Sequence, residues 1–203
     1  MRLFVFTAGN MIARGHLDNS IRNPINNQLI DEYLSPAERE RFKAEDGNHY
    51  AWGAIPGARN IPNWDNMSKD DYILCVYGGV YHYVSKCAGK VHNELLAEAI
   101  WERDDNNNTW EYMYFLTKPQ KIMAHLSDVE EFLNNRYWGF TEVSQNKVDI
   151  ITHTFGSIDQ FISEVLNNGA VIDFGTNGRL DVQVNPRSEY SGFIEELNQS
   201  DSL

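Results

Sequence analysis

Apolar and polar positions along the chain alternate in blocks that predict a mixed sequence of strands and short helices. RLFVFTA, residues 2–8, is a dense β-branched and aromatic run stopped by Gly9-Asn10, the pattern of a buried strand. Residues 11–30 show no clean period and read as a loop, with Asn23 held out of the helical region by Pro24. Ser35, Pro36 and Glu38 form a capping-box start, so SPAERERFKAE predicts a short helix closed by Gly47. HYAWGAI predicts the next strand, ending at the Pro56-Gly57 turn and a short link to Trp64. YILCVY and VYHYVSKCAGKV flank Gly78-Gly79, which predicts a hairpin with a tight primed turn.

NELLAEAIW, with Asn93 as cap, predicts a helix, and WEYMYFLT another aromatic strand. SDVEEFLNNRYW and SIDQFISEVL predict two further short helices capped by Ser127 and Ser157. Beyond Asn167 the pattern weakens to GAVIDFGTNGRLDVQV and a polar tail. Strands in mixed order with short helices make this an α+β chain, built on a curved or barrel-like mixed β-sheet flanked by short helices. Residues 1–166 form the expected domain, and residues 167–203 a C-terminal extension or linker, with a small hairpin as one form of it.

Composition narrows the classes. The 203 residues are 42% hydrophobic and 23% charged, enough apolar content for a core in one ordinary domain. Cys75 and Cys87 have no metal-ligand spacing and read as reduced thiols of a cytoplasmic protein. No apolar run reaches membrane-spanning length, so no membrane partner is expected. The net charge of −12 argues against nucleic acid, but residues 1–93 hold ten Lys/Arg and ten Asp/Glu and are neutral. The excess acid lies further on.

No Walker loop, nucleophile elbow or HExxH helix is present, and the six histidines are scattered singly. The chain is therefore expected to be a binding module and not an enzyme, with no cofactor and no metal. Its aromatic residues fall at element ends and beside turns: Trp52, Trp64, Tyr77, Trp101 and Trp110 among them. One reading is ordinary core packing. The other is an aromatic cage, in which indole faces sandwich a base while Asn10 or Asn60 pairs with its edge and Arg59 holds phosphate.

The order of these motifs resembles the YTH/EVE branch of the PUA-like superfamily. RLFVFTAGN looks like its first strand and following loop, HYAWGAI its tryptophan-bearing segment, and ILCVYGGVYHYVSKCAGKV its hairpin. WGAIPGARN, WEYMYFLTKP and YWGFTEVS are similar, more closely, to N-terminal modules of McrB-type modification-dependent restriction systems. The resemblance implies a fold of that type and a function: binding double-stranded DNA at a modified base flipped into a cage. N6-methyladenine is favoured, with 5-methylcytosine or 5-hydroxymethylcytosine as alternatives, and a GTPase motor and a nuclease subunit would be partners in phage defence. It makes Trp52 and Trp101 the cage walls, completed by Trp110, Trp64 or Tyr77. Asn10, Asn60, Thr7 and Gly53 stand at base-edge positions, and Arg59, Arg14, Arg22, Lys86 and Lys90 at phosphate positions. Thr7 and Gly53 replace a lysine and a serine of YTH domains. The rival readings are a PUA-like module for modified RNA and a protein-interaction domain whose aromatic residues are all core.

Overall fold

A computed structural model of the chain describes residues 1–166. The expectations for residues 167–203, extension, linker or hairpin, lie outside the described residues. The strands are β1 Leu3–Thr7, β2 Tyr50–Ala54, β3 Tyr72–Tyr77, β4 Val80–His92, β5 Tyr112–Leu116, β6 Gln120–His125 and β7 Phe140–Glu142. The α-helices are α1 Met11–Ser20, α2 Asn27–Tyr33, α3 Pro36–Phe42, α4 Asn60–Asn66, α5 Glu94–Trp101, α6 Gln145–Phe155 and α7 Ile158–Phe161, which continues as a π-turn over Ile162–Leu166.

The strands form one mixed sheet in the order β2-β5-β4-β3-β1-β7, and β6 pairs separately with β4. β1 and β3 are parallel, and the other pairs are antiparallel. The sheet stays open and does not close into a barrel. β4 is the spine. Its first half lies between β3 and β6, while its second half pairs with β5 from Cys87 to His92. The change of partner falls at a register shift between Cys87 and Gly89. There a Cβ on Gly89 would lie 2.4 Å from the Phe42 ring, so only glycine lets α3 press onto the strand. Phe42 then stacks on Phe115 of β5, with centroids 4.5 Å apart.

Alternation along the strands divides the interior into three clusters. Leu3, Val5, Leu74 and Val76 pack against α6 and α7. Phe4, Phe6, Ile73, Cys75, Trp52 and Tyr114 fill a central layer. Ala51, Met113 and Phe115, on the opposite face of β2 and β5, pack under α2, α3 and α5. Cys75 and Cys87 are buried and unpaired, and burial pushes the Cys87 thiol up to about 12.

Several expected elements differ. Residues 11–30 are not a loop but hold α1 and the start of α2, each with an asparagine cap: Asn10 accepts from the Ala13 N–H at 2.7 Å and Asn26 from the Gln28 N–H at 2.9 Å. The link before Trp64 contains α4. The capping box at Ser35 is present, but α3 ends at Phe42, and Gly47 instead turns the chain at φ +84° into β2. The helix expected over 127–138 shrinks to a 3₁₀ turn at Leu126–Asp128, followed by turns through which Val129 and Leu133 bury into the first cluster.

Candidate nucleic-acid interface

The C-terminal ends of the parallel strands β1 and β3 meet several other segments. The Ala8 N–H donates to the Val76 carbonyl, tying the two strand ends together. Thr7 and Gly139 exchange two bonds: the Thr7 N–H donates to the Gly139 carbonyl at 3.0 Å, and the Gly139 N–H donates to Thr7 Oγ1 at 3.1 Å. α4 lies along β7 with its start at the same end, where a Cβ on Gly139 would meet Asn60 Oδ1 at 3.7 Å. Asn63 fixes that helix by donating to the Phe140 carbonyl. Thr7, Asn10, Arg59, Asn60 and Trp138 are thereby gathered from three distant segments.

The charge of these segments is unlike that of the chain. Residues 3–17, 47–64 and 132–141 contain Arg14, Arg59 and Arg136 and no carboxylate. Residues 72–85, the hairpin beside them, carry neither sign. Those stretches bring arginines and no carboxylate of their own to this end, where Arg22, ion-paired with Asp18, also donates to Tyr77 at the end of β3. The Arg14 guanidinium lies over the Gly9 and Asn10 carbonyls, at 3.5 and 3.3 Å, and Arg59 is exposed at the start of α4.

Of the expected base-edge groups, Thr7, Asn10 and Asn60 are therefore brought together. Each is partly engaged: Asn10 Oδ1 caps α1, Thr7 Oγ1 accepts from Gly139, and Asn60 Nδ2 donates to the Ile55 carbonyl. Gly53 is not at a mouth. Its missing Cβ would lie 2.1 Å from the Trp110 carbonyl oxygen and 3.0 Å from the Trp101 ring, so its role is to let β2 approach those residues.

The expected cage walls touch one another. Trp52 and Trp101 are 4% and 2% exposed, with ring centroids 5.9 Å apart at 59°. A flat base between two rings needs two contact gaps and parallel faces about 7 Å apart. Phe6 also stacks on Trp52 at 4.8 Å, and the Trp101 indole N–H donates to Ser20 Oγ at 3.1 Å. In this conformation the pair is core, holding the edge strand β2 against α5. Trp110 is half-buried with its face met edge-on by His16 at 4.6 Å. Burial lowers the His16 pKa, with a weaker opposing pull from Glu102, and its Nδ1 is buried without a hydrogen-bond partner.

Trp64 and Tyr77 already have other partners. The Trp64 indole N–H donates to the Met113 carbonyl, and its ring stands edge-on to Tyr112 under the Lys90 ammonium. Tyr77 stacks on His82 at 3.6 Å and accepts from Arg22. The phosphate positions divide likewise. Lys90 donates to the Trp64 and Asp65 carbonyls, and burial depresses its pKa. Lys86 bonds Asp159 at 2.9 Å, which raises its pKa, and lines a cleft of about 320 Å³ with Tyr72 and Lys118. Arg22 is ion-paired with Asp18. Of the five, Arg14 and Arg59 lie on the stretches without carboxylates at the end of β1, and Arg22 reaches the end of β3 already paired.

Sequence reasoning passed over Trp138, which is 74% exposed while Trp52 and Trp101 are buried and Trp64 and Trp110 half-buried. Met11 and Ile12, at the start of α1, are 85% and 62% exposed. The exposure of all three depends on tertiary placement and leaves no mark in periodicity. Among the described residues no group of three or more His, Cys, Asp or Glu could hold a metal ion, and no helix is long and apolar enough to cross a membrane.

No family model matches the sequence, and no curated protein matches it. Solved structures do. The N-terminal domain of Thermococcus gammatolerans McrB bound to m5C DNA superposes with a TM-score of 0.60 at 14% identity, covering 77% of this chain and 98% of that one. The YTH domain of Zygosaccharomyces rouxii MRB1, in complex with N6-methyladenosine RNA, gives a TM-score of 0.37 at 14% identity over 76% and 83% of the two chains. The α+β chain described above has the fold of the McrB N-terminal domain.

Proposed function

We propose that residues 1–166 bind nucleic acid carrying a modified base, and that the end of the sheet where β1, α4 and β7 meet is the contact surface. The observation that carries this reading is the shared fold, which extends over 98% of a domain whose structure holds m5C DNA. The local charge supports it, since arginines without neighbouring acid on their segments suit a phosphate backbone. The module binds and does not cleave; a motor and a nuclease, if recruited, supply the cutting in a modification-dependent restriction system.

A base read within a duplex must leave the stack, at a cost of a few kcal/mol that stacking in the site offsets. The packed Phe6, Trp52 and Trp101 rings then act as a rigid apolar wall behind the mouth, where Asn10 and Asn60 face the base edge. Sandwiching a base between Trp52 and Trp101 themselves requires those rings to separate and align. 5-Methylcytosine is the first base to test, ahead of the N6-methyladenine favoured by the opening motif, because the stronger fold likeness is to a domain bound to m5C DNA.

The test is a fluorescence-anisotropy titration at low salt with one duplex sequence in three forms, unmodified, 5-methylcytosine and N6-methyladenine, and a matched RNA. The reading requires tighter binding to a modified DNA duplex, by a factor consistent with about 1 kcal/mol per buried methyl group. Equal affinity for all three duplexes contradicts it, and preference for the RNA moves the function to modified RNA. The charge of −12 favours the remaining alternative, a protein-interaction domain. No binding at low salt, where the electrostatic attraction is strongest, selects that alternative.

A further inference from the structure

Trp138 is an exposed indole on a rigid mount. Its own carbonyl accepts from the Thr141 hydroxyl at 3.1 Å, and the next residue, Gly139, turns the chain at φ +62°. Gly139 is tied to Thr7 by the two bonds described above, one of them from its N–H to the threonine hydroxyl. The backbone is thus pinned at and just after a large apolar ring that is 74% exposed. A mobile surface tryptophan can fold back and cover itself. A ring on a fixed backbone has fewer places to go, so less ordering is needed when it binds.

Its surroundings select the partner. Arg136 stands two residues before it, and residues 132–141 contain no carboxylate. Arg14 and Arg59 lie on the two other segments that meet at this end, also without acid. Flat apolar surface beside cationic forks is the chemistry of a nucleotide strand, whose bases stack and whose phosphates pair with guanidinium groups.

Resting on the reading of the domain as a nucleic-acid reader, we propose that Trp138 stacks on a nucleobase flanking the modified one, while Arg136 contacts the adjoining phosphate. Trp138 sets affinity and not the preference for modification, because it touches a base that carries no mark.

The test is anisotropy of the full chain with modified and unmodified duplexes of one sequence, repeated across salt concentrations. Trp138→Ala weakens both duplexes equally, by about 5- to 150-fold, and Trp138→Phe recovers most of the loss because a ring is restored. Arg136→Ala lowers the salt slope by about one, whereas Trp138→Ala leaves it unchanged. Circular dichroism confirms folding, which substitution of an exposed ring leaves intact. Wild-type affinity in Trp138→Ala overturns the proposal, even if the domain proves to be a modified-base reader. A wild-type chain indifferent to modification but weakened by Trp138→Ala overturns the modified-base reading and leaves the stacking contact standing. A chain that binds no duplex at low salt overturns both.

Discussion

Gly53→Ala tests whether the tryptophans around β2 form a packed core. The added methyl carbon would lie 2.1 Å from the Trp110 carbonyl oxygen, 2.8 Å from Trp110 Cβ and 3.0 Å from the Trp101 ring. Ordinary contact begins near 3.4 Å, so the gap to the carbonyl must widen by more than 1 Å. The obstacle is backbone entering β5, which pairs with Gly53 itself through Met113, so no flexible side chain can yield. Overpacking of this kind costs about 3 kcal/mol, the upper part of the usual range. For a unit of this size that lowers Tm by roughly 6–12 °C. Gly15→Ala is the matched control. Gly15 lies within α1, has nothing within 4 Å of its missing Cβ, and gains about 0.5–1 kcal/mol from alanine's better helix propensity. Differential scanning calorimetry of both variants should move Tm in opposite directions. A Gly53→Ala variant within about 2 °C of wild type would refute the packing described for Trp101 and Trp110.

His16 provides a pH signature: burial depresses its folded pKa, so the unfolded chain takes up the proton first. Its contribution to stability is present above the unfolded value of about 6.5 and is lost as pH falls through the folded one; urea midpoints should drop below about pH 6.5, and His16→Phe should flatten that part of the profile. Asp46 titrates lower still. Burial raises its pKa, but the Asn48 backbone and the Tyr50 hydroxyl more than offset this and hold it at about 2. The associated stability exists above about pH 4 and disappears as pH falls towards 2, which an NMR titration of the Asp46 carboxyl carbon reads directly. Cys75 and Cys87, whose thiols burial pushes upward, should resist alkylation at pH 8 in the folded protein and react only in denaturant; mass spectrometry of rapid labelling without denaturant would contradict this.

The elements with local chemistry were legible in the sequence. Gly78 and Gly79 both take positive φ, +58° and +76°, as the primed turn between β3 and β4 demands. Ser35, Pro36 and Glu38 form their reciprocal cap. α1 escaped notice because its stability is tertiary: Gly15 and a polar sequence weaken its period, and burial of Leu17 and Ser20 under other elements secures it. Asn10 carried a cap signal that a search for helix starts could have found. The site was legible only in part. Thr7, Asn10, Arg59 and Asn60 were singled out and do converge, because they end or start elements at one end of the sheet. Lys86 and Lys90 were chosen for charge, and neither the Asp159 that pairs with Lys86 nor the carbonyls that hold Lys90 are sequence neighbours. Burial decides between wall and core for Trp52 and Trp101, and between core and platform for Trp138. That is a property of packing and not of spacing.

The most direct measurement is an amide and indole NMR titration of the chain with a duplex carrying one 5-methylcytosine. The account predicts that shifts concentrate at Gly9, Asn10, Asn60 and Gly139 and at the Trp138 indole, the groups gathered at the end of β1. Shifts confined to the cleft of Tyr72, Lys86, Lys118 and Asp159, with the β1 end silent, would contradict it.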